Sequence, residues 1–170
     1  SPGGKSGKNL GSDGSFVSTL KKHGYKFQDF LPGLCPIYVS DRDLPSLMGI
    51  RHDAFLSLWH DEKRFFHERG EILYKNDGLS GIVIMNASSV LARNPGMKNV
   101  RVELDLFPDL SLRELEGEIK TIEKERNRDF LDSFLVFPLS KHIWNRAKRI
   151  VGMETEASLA VTMKSLSYPY

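Results

Sequence analysis

The sequence predicts an α+β protein in which a β-rich, barrel-like subdomain of antiparallel strands precedes a small helical bundle. Two patterns predict it. Between residues 25 and 107, short apolar or aromatic runs are separated by turn residues, and Val100–Leu106 alternates strictly between apolar and charged side chains. Beyond Pro108 the period changes, and Leu112, Leu115, Ile119 and Ile122 recur at helical spacing. The chain therefore divides into 1–24, a glycine-rich loop and short helix; 25–107, the barrel-like part; and 108–170, the helical part.

The elements follow in order. Ser1–Gly14 is a Gly/Ser/Lys loop. Ser15–His23 makes a short helix with Phe16, Val17 and Leu20 on one face, Ser12 or Asp13 as cap, and Gly24 just past its end. Cys35–Val39 is a short apolar strand. Asp53–His60 is the next, and Asp61-Glu62 turns the chain into Arg64–Glu68. Arg69-Gly70 turns it again into Glu71–Lys75, giving a meander of three consecutive antiparallel strands. An Asp77-Gly78 turn leads to a helix over Ser80–Leu91, capped by Ser80 and ended by Asn94-Pro95-Gly96. Ser111-Leu-Arg-Glu114 fits a capping box. Pro138 precedes a helix through Val151, closed by Gly152, and Thr155 caps a last helix to about Lys164.

Bulk properties exclude several classes. At 170 residues, 40% apolar and 27% charged, the chain has material for a core of ordinary soluble composition. A net charge of +2, shared evenly along the chain, implies no strong field for nucleic acid or membrane. Cys35 is the only cysteine, so no internal disulfide forms and a reducing cytoplasm is expected. No apolar run is long enough for a transmembrane helix, and no signal peptide is visible. The start at Ser1-Pro-Gly-Gly, without Met, reads as a piece of a longer protein.

Candidate chemistry is sparse. Gly3-Gly-Lys-Ser6 contains the tail of a phosphate-binding loop, but Gly7, Asn9 and Gly11 argue against the helix that such a loop needs directly after it. His23, His52, His60, His67 and His142 lack metal-ligand spacing and read as partly exposed imidazoles. Gly78-Leu-Ser-Gly81 lacks the Gly-x-Ser-x-Gly spacing of a nucleophile elbow. Cys35 reads as a small core residue. Lys141, Arg146, Lys148 and Arg149, with His142 and Trp144, form a basic helix face, solvated while Ile143, Ala147 and Ile150 turn inward. The stretch Gly70–Ile82, GEILYKNDGLSGI, is the most informative: a strand-like run and a glycine-bounded turn open an apolar helix, where exposed N–H groups can meet an anion or a partner backbone.

Read together, these segments resemble the middle of a bacterial flavoprotein family, the BaiN/YhiN-type NAD(P)/FAD-dependent oxidoreductases. Gly3-Gly-Lys-Ser6 and Gly11-Ser-Asp-Gly14 match the family's glycine-rich run without a gap. Pro32-Gly-Leu-Cys-Pro-Ile37, Gly70–Ile82 and Leu104–Leu115 match its later motifs in order. Ser1-Pro2, Tyr74–Asp77 and Ile82 depart from the pattern, and the family's His in the Tyr74–Asp77 stretch is missing. The resemblance implies an insert in a two-part FAD-binding domain, forming a lid on the substrate side of the flavin and inactive alone. Residues 1–24 would belong to the flanking FAD-binding part. Gly3, Gly4, Gly11, Ser12 and Gly14 would supply part of a phosphate-side cradle, while Gly78, Ser80 and Gly81 would set a helix start near the cofactor or substrate cleft. FAD is implied in the parent, with NAD(P)H as donor and a small-molecule substrate. No catalytic or metal-binding residue is assigned. The alternative is a non-catalytic module that contacts nucleic acid or a protein partner through its basic helix.

Overall fold

The computed structural model describes residues 3–124, 141–143, 145 and 156–170. The chain forms two compact units, Ser1–Pro32 and Gly33–Tyr170. Thr155 and most of the expected helix from Pro138 to Gly152 lie outside the described residues.

The first unit is a loop closed on itself. Gly7 and Ser12 bridge antiparallel around one 3-10 turn, Lys8–Leu10. No α-helix follows Ser6, which separates this segment from a phosphate-binding loop. Helix α1, Phe16–Lys22, comes later. Ser15 takes its cap position, rather than Ser12 or Asp13, and the Asp13 carboxylate instead accepts the Ser15 N–H at 2.9 Å. Gly24, at φ +81°, ends the helix as expected. The N–H groups of Gly24 and Tyr25 return to the carbonyls of Lys21 and Leu20, which satisfies two terminal acceptors. Among this unit's described residues, no apolar side chain is buried.

The second unit holds the core. Its strands are β1 (Ile37–Tyr38), β2 (Arg51–His60), β3 (Lys63–Lys75), β4 (Gly78–Ser80), β5 (Val100–Asp105) and β6 (Leu166–Pro169). Its helices are α2 (Leu44–Leu47), α3 (Ile82–Ala92), α4 (Leu112–Lys124) and α5 (Glu156–Lys164). The sheet order is β1-β4-β3-β2-β5-β6, antiparallel at every pairing. The Ser40 N–H, just beyond β1, donates to the Pro169 carbonyl of β6 at 3.3 Å, so the two edges of the sheet meet. This is the barrel-like architecture that the sequence predicts.

Strand periodicity sets the core. Ala54, Leu56 and Leu58 on β2, Ile72 and Tyr74 on β3, Val102 and Leu104 on β5, and Leu166 and Tyr168 on β6 are all buried. Leu56 pairs with Leu104, and Val102 with Tyr168, so one face is apolar across the strands. Helix α3 adds Val83, Ile84, Ala87 and Leu91. On α4, Leu115 and Ile119 are fully buried, whereas Leu112 is half-exposed at the helix start. The capping box forms in both directions: the Ser111 N–H donates to Glu114 Oε2 at 2.7 Å, and the Glu114 N–H to Ser111 Oγ at 3.3 Å.

Three local expectations are corrected. Arg69-Gly70 is not a turn, because β3 runs unbroken from Lys63 to Lys75 and Gly70 pairs with Ala54. Gly70 is there for space: a Cβ on it would lie 3.1 Å from Val83 Cβ, so its absence lets α3 approach the strand. The hairpin after β3 turns at Asn76-Asp77, and Gly78 is already the first residue of β4. Ser80 does not cap α3; it ends β4, and Gly81 takes the cap position at φ +111° with no side-chain capping bond. Periodicity also gave no sign of β6, the strand that returns the chain end to the sheet.

Lys164 braces the helical segments to this sheet. Its ammonium donates to the carbonyls of Phe107 and Leu110 at 2.7 and 2.6 Å and meets Asp105 Oδ2 at 2.6 Å. Replacing it with Met leaves half-buried acceptors unmatched. Lys164→Met should lower stability by about 2–3 kcal/mol in urea unfolding, with an unchanged m-value. The glycines give a second test. A Cβ on Gly78 would fall 2.2 Å from the Ile37 carbonyl oxygen, and one on Gly81 would fall 2.2 Å from that of Glu71. Gly78→Ala or Gly81→Ala should therefore cost at least about 2 kcal/mol. Gly96→Ala, where a Cβ meets nothing within 4 Å, should stay within about 0.5 kcal/mol.

Candidate functional site

The eight expected site residues fall into two groups, one in each unit. In the first unit, the Ser12 hydroxyl donates to the Gly4 carbonyl at 2.7 Å. Gly3, at φ +70°, lies against Ser12, so a Cβ there would stand 2.1 Å from Ser12 Oγ. Gly3, Gly4 and Ser12 are thus brought together. Gly14 is buried, and a Cβ on it would lie 2.6 Å from Lys5 Cγ. The Lys5 ammonium sits 5.9 Å from the centre of the Phe30 ring. Gly11 differs from these: it takes φ +83° with nothing within 4 Å of a Cβ position. Its surroundings are open, while Gly3 and Gly14 answer to contacts inside the loop.

In the second unit, Gly78, Ser80 and Gly81 are close in sequence and in space. All three are tied to neighbouring backbone. Gly78 pairs with Lys75 and Tyr38, and Ser80 pairs with Leu73. Gly81 carries the left-handed backbone that turns β4 into α3, and its carbonyl accepts the Met85 N–H at 3.0 Å. Close backbone approach explains both glycines, as the 2.2 Å contacts require. Ile82, the first helical residue, is 79% exposed, and Tyr38, opposite Gly78, is 64% exposed. Large apolar side chains therefore flank this turn. Ser88, on α3, holds the segment before β1: its hydroxyl accepts the Cys35 N–H at 3.0 Å. Cys35 itself is half-buried in a loop rather than a strand.

The sheet face opposite the core carries polar and aromatic groups to which sequence reasoning assigned no site role. Ser57 Oγ and His67 Nδ1 lie 2.9 Å apart across β2 and β3, and the His67 ring stacks on Phe55 at 4.6 Å. Trp59 donates to Glu103 at 3.1 Å and lies beside the guanidinium groups of Arg64 and Arg101. Arg69 binds Asp109 through two bonds and Asp53 through a third. The bonds from Arg69 hold the Asp109 carboxyl below the ordinary range. Alternation predicts that these residues share a face, but the cross-strand partners depend on register. A bulge at Phe65 shifts that register: Leu58 pairs with Phe66, and Trp59 with Arg64.

His142 corrects the basic helix face. It is 3% exposed, with its ring parallel to Tyr168 and Nε2 3.3 Å from the Tyr168 hydroxyl. It is neither a surface imidazole nor part of a solvated face. Ile143 is buried, as expected. Trp144, Arg146, Ala147, Lys148, Arg149 and Ile150 lie outside the described residues. Among the described residues, no helix is long and apolar enough to cross a membrane.

Desolvation first, and then the Arg64 guanidinium, hold His67 below the ordinary imidazole value. Its folded-state value is depressed, so the stability it contributes is complete above the ordinary value and is lost as pH falls through the depressed one. In an NMR titration the His67 midpoint should lie below the usual imidazole range and rise in Arg64→Gln. A midpoint that stays put in the variant would discard the Arg64 contribution.

Comparison with known proteins follows the same boundaries. The family described as HI0933-like protein barrel and H2TH domain matches residues 31–166. The match begins where the second unit begins, to within two residues. A 3-dehydro-bile acid delta(4,6)-reductase of Clostridium scindens is 26% identical over 122 residues, covering 70% of this chain. The match spans 29% of that reductase's length. With four-fifths of its residues inside the family match, and with the barrel-like sheet that the family's description names, the chain belongs to the HI0933-like barrel and H2TH domain family.

Proposed function

We propose that this chain is the insert of a FAD-dependent oxidoreductase, forming the substrate side of a flavin cleft and inactive by itself. The observation that supports this best is the concurrence of two boundaries: the family match begins at residue 31, and the chain divides at Pro32/Gly33. Residues 3–32 bury no apolar side chain, and a segment of that size cannot hold its conformation without a covering surface. The flanking flavin-binding part is the surface we assign to it. The relative's name, a reductase, supports redox chemistry of the whole protein.

The glycines fit a flavin unequally. Gly11, with open space and a left-handed backbone, suits close approach of a phosphate to main-chain N–H groups. Gly3, Gly4, Ser12 and Gly14 shape the loop that presents it. Gly78, Ser80 and Gly81 shape the turn into α3, whose exposed Ile82 would face the cleft. When bound, FAD supplies the electron transfer, with NAD(P)H as donor to the whole protein. This chain's residues would bind and orient, and would keep water from the reacting face. A single half-buried Cys35 suits a reducing cytoplasm.

Visible absorbance tests the reading. The full-length parent should purify yellow with bound FAD, and the 170-residue chain should be folded and colourless. A parent that never takes up FAD would sink the flavin reading and leave a binding module. In the parent, Gly11→Asp should weaken FAD binding about tenfold, or about 1.4 kcal/mol, while Gly96→Asp should leave it unchanged.

A further inference from the structure

No further inference is drawn: the strongest candidate, the cluster of Asp41, Asp43 and His142 where the turn before α2 meets the 141–143 helical turn, brings three donor atoms within 4.8 Å of one another but consists of two acids and an imidazole that all engage other groups of the protein, with nothing else at the site to indicate a cation.

Discussion

The second unit depends on backbone passing close to backbone at β4. Strand β4 is only three residues long, yet it joins β1 to β3 and delivers the chain into α3. Two contacts, one in this strand and one at the helix cap that follows it, leave no room for a side chain: Gly78 against the Ile37 carbonyl and Gly81 against that of Glu71. Gly70 extends the same economy to β3, where Val83 of α3 occupies the space that a Cβ would fill. With those three positions open, Val83, Ile84, Ala87 and Leu91 reach the apolar face of the sheet. Any side chain at Gly78 or Gly81 would push β4 off its neighbours and tilt α3 away from the core.

The same constraint shapes the functional reading. A glycine-bounded turn at the start of an apolar helix looks in sequence like a cradle for an anion. In three dimensions its own backbone fills the space around Gly78 and Gly81, and Ser80 lies buried in a strand. What stands open beside the turn is the apolar pair Ile82 and Tyr38. In the first unit, Gly11 and Gly24 have open surroundings, Gly24 where it ends α1, whereas Gly3 and Gly14 are closed by Ser12 and Lys5.

Much of the fold was legible because burial follows period. The alternation over Val100–Leu106, the capping box at Ser111 and Glu114, and the C-terminal Gly24 all read correctly, since each is a local pattern with a local cause. Misreadings arose where a glycine serves a distant neighbour. Arg69-Gly70 has the composition of a turn, but it lies in a 13-residue strand because Val83 needs the space. Strand β6 was not legible: Leu166–Pro169 is short, carries a proline, and is fixed by pairing with β5 more than sixty residues earlier. Burial of His142 against Tyr168 likewise depends on the chain end returning to the sheet. The candidate site was legible as motifs in order, but not as geometry, because its residues divide between two units.

In the reading we propose, the second unit carries its own core, while residues 3–32 take their order from a flavin-binding partner. Amide hydrogen exchange, read by mass spectrometry, tests it most directly when the chain alone is compared with the same chain inside the flavin-loaded full-length protein. The account predicts equal protection of β2, β3 and β5 in both, and protection of residues 3–32 only in the full-length protein. Equal, strong protection of 3–32 in the isolated chain would contradict it.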